Sequence, residues 1–187
     1  IMNQPESFVD ESLKGIVLAH GDMLKFSEEN TRAVVRSDAP VQDKVAIVTG
    51  GGYGHLPVFL GYVGRGLCDG VAVGNVFTSP SCDAIVAAAK ATNSGAGVLF
   101  LFGNYMGDSM NFDMASEMLD MEDIPCAIVK AADDVASAPR SDYKNRRGVG
   151  GIFFPYKIAG AKAERMASLD EVRDIAVQVC DNVATFG

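Results

Sequence analysis

KVAIVTGGGYGHLP, residues 44–57, joins an apolar run to a loop in which four of five successive residues are glycine. The apolar part, Lys44–Thr49, has the length and the β-branched content of a buried strand. Similar runs, separated by longer segments of helical character, are Ala33–Arg36, Gly70–Val73, Gly97–Phe102 and Cys126–Lys130. This alternation predicts an α/β fold in which a largely parallel sheet is flanked by helices.

Helices are predicted between these strands and at both ends of the chain. Apolar residues at helical spacing indicate a first helix over 6–19 and two final helices over about 152–166 and 169–184. Ser79 is a candidate cap for a helix that has Pro80 in its first turn and runs to Lys90. Asp108 or Ser109 can open a further helix. Methionines recur along it at 106, 110, 114, 118 and 121, and we expect this stripe to be core filling.

Length and hydropathy set the class of protein. The chain has 187 residues, of which 48% are hydrophobic, and this fits one domain over residues 1–187. No apolar run approaches the roughly 18 residues that span a bilayer, and the first residues lack a signal-peptide pattern. The sequence therefore predicts a soluble, cytoplasmic protein.

Charge and cysteine spacing exclude several functions. A net charge of −8 and a pI near 4.7 oppose binding to nucleic acid or to an anionic membrane. The basic cluster Lys144-Asn145-Arg146-Arg147, with Arg140 nearby, is expected to be a solvated loop. The four cysteines form no CxxC pair and have no nearby histidine, so we predict no metal site and free thiols in a reducing compartment.

Three loops follow predicted strands, and ligands in open α/β sheets bind beyond the carboxyl ends of the strands. These loops are Gly50–Pro57, Phe77–Pro80 and Gly103–Asp108. The first is rich enough in glycine for its backbone N–H groups to approach a small polar ligand. It is not a P-loop, because His55 stands where the second glycine is required. It is not a GxGxxG motif either, because Pro57 stands where the third is required.

His55 and Asp108 end two of these loops. An imidazole moves protons near neutral pH, and a carboxylate beside it completes the equipment that activates a hydroxyl group. Each residue also has a structural alternative, since His55 can bond local backbone and Asp108 can cap a helix. His20, at the end of the first helix, is expected to be structural. Asp133 and Asp134 follow another strand on the same edge; ligand contacts are one interpretation, and a solvated acidic turn is the favoured one.

Four blocks of sequence occur together: Thr49-Gly-Gly-Gly-Tyr-Gly-His55-Leu-Pro57, Phe77-Thr-Ser-Pro80, Asn104-Tyr-Met-Gly-Asp108-Ser-Met-Asn-Phe112 and Arg146-Arg-Gly148. In order and spacing they resemble the dihydroxyacetone kinases, from about Asp38 to the C-terminus. The resemblance implies the N-terminal half of the ketose-binding subunit or domain. There a small ketose, dihydroxyacetone or a tetrulose such as erythrulose, is phosphorylated on a terminal hydroxyl.

The resemblance also assigns roles to residues. It implies that His55 and Asp108 are the acid/base pair and contact the substrate hydroxyls. The implied pocket is lined by the backbone of Gly52, Tyr53 and Gly54, together with Ser79. The chain itself is expected to bind no cofactor. ATP, or ADP recharged by a phosphotransferase relay, is expected with Mg²⁺ on a separate L-type domain or subunit. That nucleotide-bearing unit and a second copy of the chain, in a homodimer, are the implied partners.

Three departures from the family pattern bear on substrate and activity. Gly103 replaces a lysine found in many members, which implies a roomier pocket and makes a four-carbon ketose a serious candidate. Tyr53 and Leu56 replace a serine and an acidic residue, which again points to an altered substrate preference. The family's covalent ketose-binding histidine belongs to a following domain and is missing between Ile1 and Gly187. The isolated chain is therefore expected to bind ketose weakly and not to turn over.

Two other functions compete with the kinase interpretation. One is a regulatory paralogue that senses a ketose and passes the signal to a transcription factor. The presence of both His55 and Asp108 favours catalysis, because sensing needs no proton acceptor. The other is an ordinary nucleotide-binding α/β domain, which rests on fold analogy alone and fails both glycine-motif tests.

Overall fold

The structure, a computed structural model, describes residues 2–55 and 59–187 and contains a six-stranded sheet of order β1-β2-β4-β3-β5-β6. The strands are β1 (Leu24–Phe26), β2 (Ala33–Arg36), β3 (Ala46–Gly52), β4 (Gly70–Gly74), β5 (Val98–Gly103) and β6 (Cys126–Ala131). The α-helices are α1 (Phe8–Ala19), α2 (Cys82–Thr92), α3 (Met106–Asp120), α4 (Phe153–Ala163) and α5 (Leu169–Asn182). Short 3₁₀ turns include Tyr53–His55 and Gly150–Ile152.

The sheet is largely parallel, which confirms the predicted α/β fold. Strands β4, β3, β5 and β6 pair in parallel, whereas β1 and β2 are antiparallel to their neighbours. The carboxyl ends of β3, β4 and β5 therefore open on one edge, which we call the carboxyl edge. Strand β1 was not predicted, because its three residues include the exposed Lys25 and give no period to recognise.

Helices cover both faces of the sheet. Every residue of β3 and of β5 is buried, as expected for strands packed on both sides. Helices α2 and α3 form one core with the sheet, and α4 and α5 form another. In the first core the ring of Phe112 stacks on Phe102 at 4.1 Å and meets Phe100 edge-on at 5.1 Å. This packing fixes α3, which carries one of the predicted site residues, against β5.

Two predicted helix starts are wrong by a few residues. Helix α2 is capped by Ser81, whose side chain accepts a hydrogen bond from the Ala84 N–H, and not by Ser79. Helix α3 begins at Met106, so Asp108 lies inside its first turn instead of capping it. In both cases a polar residue within two or three positions of the true start offered a competing cap.

The methionine stripe of α3 is exposed, so its prediction as core filling is wrong. Met106, Met110, Met114 and Met121 are all exposed, and only Met118 packs partly against the core beside Cys82. The buried face of α3 is instead formed by Phe112, Ala115 and Leu119 together with Asp108. Residues at helical spacing can lie on the buried or on the exposed face of a helix. Here the face with Phe112, Ala115 and Leu119 is buried, and most of the methionines lie on the exposed face.

A buried charge network lies at the opposite, amino edge of the sheet. Asp69 accepts hydrogen bonds from the Lys44 Nζ at 2.6 Å, the Arg36 guanidinium at 2.9 Å and the Ile47 N–H at 2.8 Å. Arg36 also binds Glu164, which stands at the end of α4. Lys44 is only 1% exposed, so its ammonium group depends on Asp69 for compensation. The network ties β2, β3 and β4 to α4.

Candidate active site

A cavity of about 450 Å³ opens at the carboxyl edge, where the sequence predicts a ligand site. It is bordered by Gly52, His55, Phe59, Phe77, Thr78, Ser79, Tyr105, Gly107, Asp108, Gly148, Val149, Gly150 and Ile152. None of these described residues is a lysine or an arginine. The described part of the wall therefore has neither of the side chains that most often hold nucleotide phosphates.

The end of β3 and the loop after β4 touch at Gly52. A Cβ on Gly52 would lie 2.8 Å from the Thr78 nitrogen and 2.9 Å from the Phe77 Cα, so only glycine allows this approach. The 3₁₀ turn that follows ends at His55, whose exposed ring lies 5.1 Å from the Phe77 ring and 6.0 Å from Phe59. The imidazole is thus held beside the cavity by aromatic neighbours.

Asp108 is the buried acid of the cavity. Its residue is 9% exposed, and its Oδ1 atom is buried with no hydrogen-bond partner. Burial raises the pKa of the Asp108 carboxyl above its usual value, although the Ser79 hydroxyl and the charge of His55 partly oppose this. An unpartnered oxygen and a raised pKa are the properties of a carboxylate that can take a proton from a bound hydroxyl group.

Ser79 is fixed against the helix that carries Asp108. The Asn111 Nδ2 atom donates to the Ser79 Oγ at 3.1 Å and to the Pro80 carbonyl at 2.8 Å. Asn111 lies one turn after Asp108 on α3, so one helix positions both the carboxylate and the serine loop. The Gly107 backbone fits against Ser79, because a Cβ there would lie 3.4 Å from the Ser79 Cβ.

Asp133 and Asp134 are buried, so their prediction as a solvated acidic turn is wrong. Asp133 is 2% exposed and accepts hydrogen bonds from the N–H groups of Val149 at 3.0 Å and Gly151 at 2.9 Å. The Thr185 hydroxyl is its third donor. These partners lie 16 to 52 residues away along the chain, which no local pattern reveals. Asp133 thereby holds the segment that forms one cavity wall.

Asp134 binds Arg147, the residue just before this cavity wall. Its carboxylate binds the Arg147 guanidinium at 2.8 Å and accepts from the Ala136 and Gly187 N–H groups. Burial alone would raise the pKa of Asp134, but these hydrogen bonds lower it. Within the basic cluster, Lys144 and Asn145 are exposed as predicted, whereas Arg147 is committed to this ion pair.

The structure brings together four of the six predicted site residues. Gly52, His55, Ser79 and Asp108 border the cavity, whereas Tyr53 and Gly54 are not among the described residues that do. The Tyr53 ring instead packs edge-on against Phe8 at 5.5 Å. The replacement at Leu56 lies outside the described residues. The roles of all six remain predictions.

Other parts of the cavity border were not predicted, namely the wall formed by 148–152, Tyr105 and Phe59. The glycines of Gly148-Val-Gly-Gly151 were the available signal, since they follow strand β6 on the carboxyl edge. Gly103 does not border the cavity. A Cβ there would lie 3.2 Å from the Gly148 carbonyl oxygen and 3.3 Å from the Tyr105 ring.

Metal ligation and membrane insertion can be examined over the same residues. In residues 2–55 and 59–187 no group of three or more His, Cys, Asp or Glu side chains is arranged to hold a metal ion. No helix of this part of the chain has the length and apolar character needed to cross a membrane. The four cysteines are free thiols.

Comparison with known proteins identifies the family. The Dak1 domain matches residues 14–187, nearly the whole chain. The chain belongs to the Dak1 domain family. Among curated Dak1 relatives, the dihydroxyacetone-binding subunit DhaK of the PTS-dependent dihydroxyacetone kinase of Lactococcus lactis is 42% identical over 100% of this chain and 56% of its own length. The L-erythrulose kinase of Pectobacterium atrosepticum is 41% identical over 100% of this chain and 31% of its own.

Solved structures of the family have the same fold. The dihydroxyacetone kinase of C. freundii is 34% identical with a TM-score of 0.89, covering 97% of this chain and 33% of that one. The dihydroxyacetone kinase operon co-activator Dha-DhaQ is 31% identical with a TM-score of 0.81, covering 90% of this chain and 51% of that one. The Dak1 chain thus spans about half or less of the length of these proteins.

Proposed function

We propose that this chain is the ketose-binding part of a phosphotransferase, in which the carboxyl-edge cavity holds a small ketose for phosphorylation on a terminal hydroxyl. The observation that carries the proposal is Asp108, a buried carboxyl with a raised pKa and an unpartnered Oδ1, beside a cavity whose described residues include no lysine or arginine. The names of the relatives, a dihydroxyacetone-binding subunit and an erythrulose kinase, support the choice of substrate class.

In this proposal the Asp108 and His55 side chains handle the proton. The substrate O–H bond breaks as its proton passes to Asp108 or His55, and the oxygen forms a bond to the phosphorus of the donor. The leaving group carries away the electrons of the broken phosphorus–oxygen bond. Ser79, fixed by Asn111, and the backbone of Gly52 line the ketose pocket and orient the ligand. Positioning of this kind supplies most of the catalysis in phosphoryl transfer.

The phosphoryl donor belongs to another part of the protein in this proposal. The described residues of the cavity include no lysine or arginine for a triphosphate, and no group of three or more His, Cys, Asp or Glu side chains in the described chain is arranged to hold a metal ion. We therefore place ATP or ADP with Mg²⁺ on a nucleotide-bearing L-type domain or subunit. Residues 1–187 are then the N-terminal ketose-binding domain, and a further domain supplies the covalent histidine. A homodimer and a cytoplasmic location complete the proposal, and size measurement and cell fractionation test them.

A coupled phosphorylation assay on the full natural protein with its nucleotide-bearing partner tests the proposal. Dihydroxyacetone, glyceraldehyde and erythrulose are the substrates. We expect Asp108→Asn and His55→Ala each to lower kcat by about 100-fold or more. Asp113→Asn, an exposed acid on the same helix, and His20→Ala, an exposed histidine, are the matched controls and should retain activity.

Ketose sensing without catalysis is the second candidate, and the likeness to the operon co-activator supports it. The two functions differ in one measurement. Ketose binding seen by calorimetry, with no turnover of any of the three substrates, would contradict the kinase proposal and favour the sensor. Turnover that is unchanged in Asp108→Asn would contradict the role proposed for Asp108.

A further inference from the structure

The cavity wall after β6 contains three glycines, and packing explains two of them. A Cβ on Gly148 would lie 2.3 Å from the Ala131 carbonyl oxygen and 2.7 Å from the Gly103 Cα. A Cβ on Gly151 would lie 2.6 Å from the Asp133 carboxylate. Real Cβ atoms do not approach other atoms so closely, so the backbone can pass here only with glycine at both positions.

Gly150 has no such explanation. It borders the cavity, a Cβ placed on it would meet nothing within 4 Å, and its φ is not positive. Neither crowding nor backbone conformation therefore demands glycine at this position. The missing side chain leaves open space next to the ligand site, whereas the missing side chains of Gly148 and Gly151 make room for protein atoms.

The backbone at Gly150 is also held on both sides. The N–H groups of Val149 and Gly151 both donate to the buried carboxylate of Asp133. Moving this backbone would break two hydrogen bonds to a buried charged group, which are among the stronger ones in proteins. A side chain added at 150 therefore projects into the open space instead of pushing the wall outward.

We infer that Gly150 sets the length of the ketose that the cavity admits, leaving room for a fourth carbon. The inference rests on the proposed function and names the residue that decides between substrates within it. A methyl group at 150 removes space that a three-carbon ketose leaves empty and that a four-carbon ketose fills. One methylene group in such a pocket changes discrimination by about 10-fold to 200-fold.

Calorimetry on the full natural protein tests this inference with two probes, dihydroxyacetone and L-erythrulose. We expect Gly150→Ala to weaken erythrulose binding by about tenfold or more and dihydroxyacetone binding by less than about threefold. Gly150→Val should further increase the ratio of the dissociation constant for erythrulose to that for dihydroxyacetone. Gly15→Ala and Gly64→Ala are the matched controls, because a Cβ at either position also meets nothing within 4 Å and neither residue borders the cavity.

The outcomes separate the inference from the proposed function. A wild-type protein that binds neither ketose overturns the proposed function, and the inference with it. A wild type that binds both, with variants that lose both equally or lose neither, overturns the role of Gly150 alone. Thermal unfolding of each variant identifies a loss of fold, and Gly150→Ser then provides a second small side chain on which the same binding ratio is measured.

Discussion

Two buried aspartates at opposite edges of the sheet, Asp69 and Asp108, have opposite surroundings. At the amino edge, Asp69 accepts from Lys44, Arg36 and the Ile47 N–H, so its carboxylate is compensated by neighbouring charges and donors. At the carboxyl edge, Asp108 has an oxygen with no partner, and burial raises its pKa. Removing a compensated carboxylate leaves its buried partners unpaired and destabilises the fold, whereas an uncompensated carboxylate is available for chemistry. The same sheet thus carries one aspartate that matters for stability and one that is available for chemistry.

The largest expected effect on stability is at Asp69. Asp69→Asn leaves the buried Lys44 ammonium without its closest anion, and we expect the free energy of unfolding to fall by about 3–5 kcal/mol. Urea denaturation measures it. The double variant Lys44→Met/Asp69→Asn should recover much of the loss, because the uncompensated charge is removed. If Asp69→Asn alone has the same free energy of unfolding as the wild type, the contrast drawn between Asp69 and Asp108 is wrong.

Asp133 is expected to show a smaller effect that reaches the ligand. Asp133→Ala leaves the N–H groups of Val149 and Gly151 without their acceptor, at a cost of about 1–3 kcal/mol in the free energy of unfolding. Under the proposed function it should also weaken ketose binding, because one wall of the cavity loses two of its hydrogen bonds. Thr185→Val is the control. It removes one donor to Asp133 but keeps the hydrogen bonds from the Val149 and Gly151 N–H groups, so calorimetry should find the proposed ketose affinity unchanged.

The pH dependence of stability should have opposite signs for Glu164 at the amino edge and Asp108 at the carboxyl edge. Burial alone would raise the pKa of Glu164, but its hydrogen bonds with Arg36 and the Gly66 N–H, together with the charges of Arg36 and Lys44, lower it from 4.5. Its contribution is therefore present above pH 4.5 and is lost as the pH falls through the lowered pKa. The stability difference between wild type and Glu164→Gln should grow as the pH rises through this window and then stay constant.

For Asp108 the direction is reversed. Its pKa is raised from 3.8, so the folded state holds this proton more tightly than the unfolded state does. The contribution is present below pH 3.8 and is lost as the pH rises through the raised pKa. Asp108→Asn should therefore gain stability relative to the wild type as the pH rises. The prediction is wrong if, between about pH 3 and 8, the stability of Glu164→Gln and that of Asp108→Asn, each relative to the wild type, change in the same direction with pH.

The smallest effect is expected on the exposed methionines of α3. Met110→Gln should change the free energy of unfolding by less than about 0.5 kcal/mol, because the side chain is exposed. Met118→Gln buries a polar amide beside Cys82 and should cost about 1 kcal/mol or more. Equal losses in the two variants would mean that the stripe is covered in solution.

The sequence predicted the strands and site loops well because their signals are local. Continuous apolar runs mark β3 and β5, and the loops after them had to meet at the edge where parallel strands end. His55 and Asp108 could therefore be placed at one cavity before the fold was known. The resemblance to a family added the substrate class, which no local pattern carries.

What the sequence could not predict depends on distant partners. Asp133 and Asp134 look like a polar turn until residues 147–151 and 185–187 are placed against them. The methionine stripe shows the same limit, since a helical period indicates a face but not which face is buried. Burial of a charged side chain is decided by donors that approach from elsewhere in the chain.

The anchoring of residues 148–151 by Asp133 determines how a ligand can reach the cavity. On one side of the opening the backbone is held by two hydrogen bonds to the buried carboxylate of Asp133, which follows the edge strand β6. The other side carries Phe77 and Tyr105, residues that are 69% and 40% exposed, and exposed side chains change rotamer within picoseconds to nanoseconds. The two sides of the opening are therefore built differently, one by hydrogen bonds to a buried carboxylate and the other by exposed aromatic side chains.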